Sequence, residues 1–166
     1  MKVTLEGNRG AGKTTILNLL RKQGYSVNNQ EPNTSHTFQA DIKADIQRFA
    51  HTSETTELCL YERSPYSLAR IYLPYYKSQG LIDQDPITEL QSTHIWQPDV
   101  IIYLYCDPFV CHQRSKQSLT QLVELHNNHE LVLDEMNYSG IIYKVNAQED
   151  IQSVVGNVLA ILGKLK

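Results

Sequence analysis

Apolar positions recur along the chain with two periods, and segments of one period alternate with segments of the other. Residues 2–6 (KVTLE) predict a short strand. A glycine-rich turn follows, then a helix over 13–23 with Ile16, Leu19 and Leu20 on one face and Gly24 as its stop. Residues 25–28 fit a second strand, and 36–50 carry Phe38, Ile42, Ile46 and Phe49 at helical spacing. The run ELCLY (57–61) suits a buried strand. Ser64-Pro65 pairs an N-cap residue with proline at the first helical position, which predicts a helix ending near Gly80, and Asp85-Pro86 repeats that start signal. DVIIYLY (99–105) is the clearest strand. Asp107-Pro108 opens another helix, and Ser118 is a cap for one carrying Leu122, Leu125, His129 and Leu133. IIYKV (141–145) is the last strand, and the closing helix turns Ile151, Val155, Val158 and Leu162 inward. Strands alternating with helices predict an α/β fold, a mostly parallel five-stranded sheet between two helical layers. No linker-like stretch divides residues 1–166, so one domain is expected.

Charge and cysteine content narrow the classes. A net charge of −3 disfavours a broad basic nucleic-acid surface. The 3 cysteines are odd in number and form no CxxC, so neither a disulfide framework nor a zinc site is indicated. Cys59 and Cys106 lie in apolar runs as small hydrophobes, and a reducing cytosol is the expected setting for them and for Cys111. Glu6, Arg9 and Lys13 interrupt any leader-like apolar stretch, and no apolar run approaches a membrane span.

Residues 7–14, GNRGAGKT, satisfy G-x-x-x-x-G-K-[ST] at every fixed position, between a strand and a helix as the motif's mechanics require. Glycines allow the backbone to wrap closely, so that its N–H groups converge on phosphate oxygens at a helix N-terminus. The loop Gly7, Asn8, Arg9, Gly10, Ala11, Gly12, Lys13, Thr14, with Thr15 behind it, is therefore the expected nucleotide cradle. Lys13 is expected on the β- and γ-phosphates and the Thr14 hydroxyl on Mg²⁺. For Arg9 a phosphate contact and a water-facing position both stay open. The motif is shared by GTPases, motor ATPases and small-molecule kinases. The chain is short for a motor, and the absence of an N/T-K-x-D segment disfavours a G-protein.

Three further segments, Glu31-Pro32, Phe38-Gln39 and Glu62-Arg63-Ser64, stand in order behind this loop. With the opening Glu6-Gly7-Asn8, the Pro108-x-x-Cys111-x-x-Arg114 segment and the L-x-x-L-x-x-L-H-x-x-H-E run over 119–130, they resemble the deoxynucleoside kinase family, the thymidine and deoxycytidine kinases related to thymidylate kinases. The resemblance implies a P-loop kinase fold and transfer of the γ-phosphoryl of ATP, with Mg²⁺, to the 5′-hydroxyl of a nucleoside. It implies that Glu31 is the general base, that Glu62 holds Mg²⁺ with Thr14, and that Arg63 steadies the acceptor hydroxyl or the transferring phosphate. It further implies that Gln39, beside Phe38, reads the edge of a pyrimidine, that Arg114 is a lid arginine assisted by Lys116, and that residues 146–150 contact adenine. A homodimer is implied by the resemblance alone.

Two departures stand out. Only NTSHT (33–37) separates the EP and FQ segments, where the family carries a sugar-binding tyrosine. SKQS (115–118) bridges directly to the next helix, where the family has an arginine-rich lid, and Leu68 stands where relatives shape the base pocket with an acidic or small residue. A reduced, open site follows. A thymidylate-type kinase of monophosphates, a kinase of nucleotides within DNA and a non-catalytic nucleotide-binding module are the competing readings. Nucleic acid is left open but not favoured over a small nucleoside or nucleotide acceptor, and no membrane partner is expected. His126, His129 and Glu130 lack an identifiable third metal ligand and read as helix packing and surface hydrogen bonding.

Overall fold

The computed structural model describes residues 1–28, 57–80, 97–134 and 138–165. Five strands, β1 (Lys2–Glu6), β2 (Ser26–Asn28), β3 (Cys59–Glu62), β4 (Val100–Tyr105) and β5 (Ile141–Asn146), form one sheet in the order β2-β3-β1-β4-β5. Every pairing among them is parallel. β1 is central, with Val3 opposite both Leu60 and Val100. The order reverses at β1, so the carboxyl ends of β1, β3 and β4 surround the crevice where open α/β sheets take ligands.

The helices start and stop where local chemistry requires. α1 (Lys13–Lys22) ends at a left-handed Gly24 with φ 88°. α2 begins at Pro65–Ser67 behind a reciprocal Ser64–Ser67 capping box, widens to a π-turn over Leu68–Tyr72 and returns to α geometry over Leu73–Ser78. Pro74 is the physical reason for the widening. It has no N–H for the Arg70 carbonyl and its ring crowds that carbonyl, while Leu73 N–H reaches five residues back to Leu68 O. α3 (Pro108–Ser115) is capped by Asp107, α4 spans Leu119–Asp134, and α5 (Ile151–Lys164) is capped by Asp150. The expected helix over 36–50 and the Asp85-Pro86 start lie outside the described residues.

Alternation along β4 shows the layers. Val100, Ile102 and Leu104 join Val3, Leu5 and Leu60 in an aliphatic core with Ile16, Leu17 and Leu20 of α1 and Val155, Val158 and Leu162 of α5. Ile101 and Tyr103 point the other way, into a second core with Tyr66, Ile71, Tyr72 and Tyr75 of α2 and Leu125, Val132 and Leu133 of α4. Ile151, expected inward, is 38% exposed, and Val154 takes its place in the core. With Asp150 as cap, Ile151 opens the first turn on the solvent side. No helix among the described residues is long and apolar enough to cross a membrane.

Candidate active site

The glycine loop leaves β1 at its carboxyl end and enters α1. Its path is fixed by close backbone approaches: a Cβ on Gly7 would stand 2.6 Å from Leu104 O, and one on Gly10 2.6 Å from Cys111 O. Both residues have positive φ, 138° and 89°, so glycine meets a steric and a conformational demand at once. Asn8 pins the loop from the other side, its Nδ2 donating to Leu122 O at 2.9 Å. Arg9 is exposed, and its guanidinium reaches Gln117 Oε1 at 3.1 Å, in the short connection between α3 and α4.

Lys13 is only 4% exposed. Its ammonium donates back to Gly7 O at 2.6 Å and Asn8 O at 2.9 Å, so two carbonyls of the loop hold it. Burial pulls its pKa down to about 8, and the Arg63 cation pushes the same way. Next to it, the exposed Thr14 hydroxyl lies 3.0 and 3.1 Å from the two oxygens of Glu62, at the end of β3. Thr14 and Glu62 form a hard-oxygen pair of the kind Mg²⁺ accepts while keeping water and phosphate oxygens as its other ligands, so the residues present fit the ion.

Arg63 follows in the left-handed region, φ 68°, with its N–H on Leu5 O at 3.2 Å. This turn lays its guanidinium over the Tyr72 ring, 4.5 Å from the centroid. The Tyr72 hydroxyl, one π-turn into α2, stands 3.3 Å from Gly7 O and 3.4 Å from His129 Nε2. His129 Nδ1 faces Leu125 O at 2.7 Å. A carbonyl can only accept, so Nδ1 carries the ring proton and Nε2 is left as an acceptor. Burial lowers the His129 pKa to about 3 and raises that of Tyr72 to about 12, so both stay neutral. His129 is thus a core residue stacked on Tyr103, and among the described residues no group of three metal-ligating side chains occurs.

Sequence reasoning passed over Glu6. It is completely buried, its Oε1 accepts from Ser64 N–H at 2.9 Å and Ser64 Oγ at 3.2 Å, and Oε2 finds no hydrogen-bond partner among the described residues. Burial raises its pKa to about 7. The signal was present in the strand alternation, which puts Glu6 on the face of Thr4 and away from Val3 and Leu5.

Arg114 donates to Ala147 O at 2.8 Å and reaches Gln148 O at 3.5 Å, so it is committed to the loop after β5. Lys116 is an exposed left-handed residue ending α3. Leu68 is 6% exposed in the second core. Ala11 is buried behind the loop and Thr15 is exposed on α1. Glu31, Phe38 and Gln39 lie outside the described residues.

Comparisons with known proteins agree with this geometry. A probable deoxycytidine kinase of fowlpox virus is 24% identical over 99% of this chain and 89% of its own length. Among solved structures, M. mycoides deoxyadenosine kinase with bound dATP superposes with a TM-score of 0.78 at 18% identity, covering 98% of this chain and 100% of that one. The same enzyme with products dCMP and a flexible dCDP gives 0.77 at 19% identity, covering 100% of both chains. At these identities the superpositions show the P-loop kinase fold. The deoxynucleoside kinase model matches residues 33–160, beginning beyond the glycine loop, so loop geometry and family match are independent observations. On both grounds, this chain belongs to the deoxynucleoside kinase family, the P-loop phosphotransferases that phosphorylate nucleosides.

Proposed function

We propose that the protein transfers the γ-phosphoryl group of ATP to the 5′-hydroxyl of a deoxynucleoside, preferring pyrimidines. The observation that carries this reading is the meeting of Lys13, Thr14 and Glu62 at the carboxyl ends of β1 and β3, with Arg63 one residue beyond. Phosphoryl transfer asks mainly for positioning and charge stabilisation. The loop N–H groups and α1 hold the donor phosphates, and Lys13 meets the β- and γ-oxygens. Thr14 and Glu62 hold Mg²⁺, which when bound neutralises phosphate charge. Arg63, fixed on Tyr72, faces the transferring group. Arg114 shapes the donor-base side by holding the loop at Ala147 and Gln148.

In this reading Glu31 accepts the proton of the attacking hydroxyl, and Gln39, next to Phe38 in the sequence, pairs with a pyrimidine edge. Two relatives support a pyrimidine acceptor: the fowlpox protein is a probable deoxycytidine kinase, and the M. mycoides deoxyadenosine kinase holds dCMP as a product in one of its structures. The test is kcat/KM with ATP and Mg²⁺ for thymidine, deoxycytidine, deoxyadenosine and deoxyguanosine, each with wild type and Gln39→Ala. Pyrimidines should lead by roughly tenfold, since an unpaired buried amide costs about 1–3 kcal/mol, and Gln39→Ala should flatten the ranking. Purines leading in the wild type would overturn the base preference. Turnover of monophosphates or DNA ends alone would overturn the acceptor class.

A further inference from the structure

We propose that Glu6 is a positioning residue that holds Arg63 in its working conformation through Ser64. The inference rests on the reading above, in which Arg63 acts at the transferring phosphate. Arg63 adopts φ 68°, a left-handed conformation that few residues bearing a side chain take up. Two flanking hydrogen bonds impose it here. Arg63 N–H bonds to Leu5 O at 3.2 Å, and the next N–H, that of Ser64, bonds to Glu6 Oε1 at 2.9 Å. Both anchors are consecutive residues of β1, so the turn at the end of β3 is registered on the strand that leads into the glycine loop.

The clamp is doubled. Ser64 Oγ also lies 3.2 Å from Glu6 Oε1 and accepts the Ser67 N–H that starts α2. The turn therefore fixes Arg63 and the helix that carries Tyr72 together. Tyr72 lies under the guanidinium and returns to the loop at Gly7 O. Glu6, Ser64, Arg63, Tyr72 and Gly7 form a closed ring of contacts around the base of the site. Glu6 is wholly enclosed at the end of a central strand, one of its oxygens makes this clamp, and Ser67 and the Arg63 and Lys13 cations tie it electrostatically to the same turn and loop.

The test measures kcat and KM for ATP and deoxynucleoside in Glu6→Ala, Glu6→Gln, Arg63→Ala and the double variant Glu6→Ala/Arg63→Ala. Misplacement of a catalytic group by about 1 Å can cost about 10²-fold, so Glu6→Ala should lower kcat by about that factor with KM for ATP changed less than about threefold. Glu6→Gln keeps an acceptor for Ser64 and should stay within about tenfold of wild type. In the Arg63→Ala background, Glu6→Ala should change kcat by less than about threefold, because its effect passes through Arg63. If Glu6→Ala does not fold, Glu6→Asp, which keeps the charge but falls one methylene short of Ser64, should show the same split and the same loss of effect without Arg63. Additive losses in the double variant, or Glu6→Gln as poor as Glu6→Ala, would overturn the clamp alone. Unchanged kcat in Arg63→Ala would overturn the reading of Arg63, and the clamp with it.

Discussion

The two faces of the sheet are built from different materials. The face under α1 and α5 is aliphatic, with Val3, Leu5, Leu17, Leu20, Ile102 and Val158 buried together. The face under α2 and α4 is aromatic and polar. It buries Tyr66, Tyr72, Tyr75 and Tyr103 with His129, Thr4 and Glu6, and two of its polar atoms, Thr4 Oγ1 and Glu6 Oε2, find no partner among the described residues. Orphaned polar atoms destabilise a core, whereas close-packed aliphatic side chains stabilise it. The difference assigns the positioning of Arg63 and Tyr72 to the aromatic and polar face, with the glycine loop at the rim where the two faces meet.

The largest expected effect lies at that rim. Lys13→Ala should lower kcat/KM by on the order of 10³-fold or more, about 4 kcal/mol of transition-state stabilisation, with an unchanged circular dichroism spectrum. Near-normal turnover by the folded variant would detach the loop from the chemistry. On the aliphatic face, Leu20→Ala should cost about 2–5 kcal/mol in urea unfolding while kcat per folded molecule stays at the wild-type value. A loss of kcat in that variant under folding conditions would erase the division between the faces.

On the polar face the contribution of Glu6 has a definite sign. Its folded pKa of about 7 lies above the ordinary 4.5, so its stabilising contribution is complete below about pH 4.5 and is lost as pH rises through about 7. Glu6→Gln should therefore match wild type near pH 4 and exceed it by on the order of 3 kcal/mol at pH 8. Parallel stability curves at the two pH values would show that Glu6 carries no such penalty.

Chemistry written in contiguous residues was legible in the sequence, and chemistry assembled by the fold was not. GNRGAGKT, the Ser64-Pro65 start and the glycine stops are local, and the structure keeps them all. β3, β4 and β5 were readable as short apolar runs between turn signals, and β1 by its place before the glycine loop. The partners of Arg114 were not, because they are main-chain carbonyls, which any residue supplies. The π-turn in α2 had one sign, Pro74, inside an otherwise regular helical stretch. The placement of Ile151 was missed by one turn, because Val154 and Val155 fit the inward stripe equally well until the Asp150 cap fixes the phase.

The position of β1 also sets a timetable for synthesis. The central strand, β1, is made before both of its neighbours, which begin pairing at Cys59 and Val100. At roughly 5–20 residues per second, a ribosome leaves β1 without its β3 edge for about 3 s or more, and without its β4 edge for up to about 20 s. Until then a strand of high β-propensity and the apolar stripe of α1 wait in company, each able to shield the other but neither able to form a sheet. The nascent chain is most exposed to aggregation in that interval, and a chain stopped before β4 is complete keeps one open edge on its innermost strand.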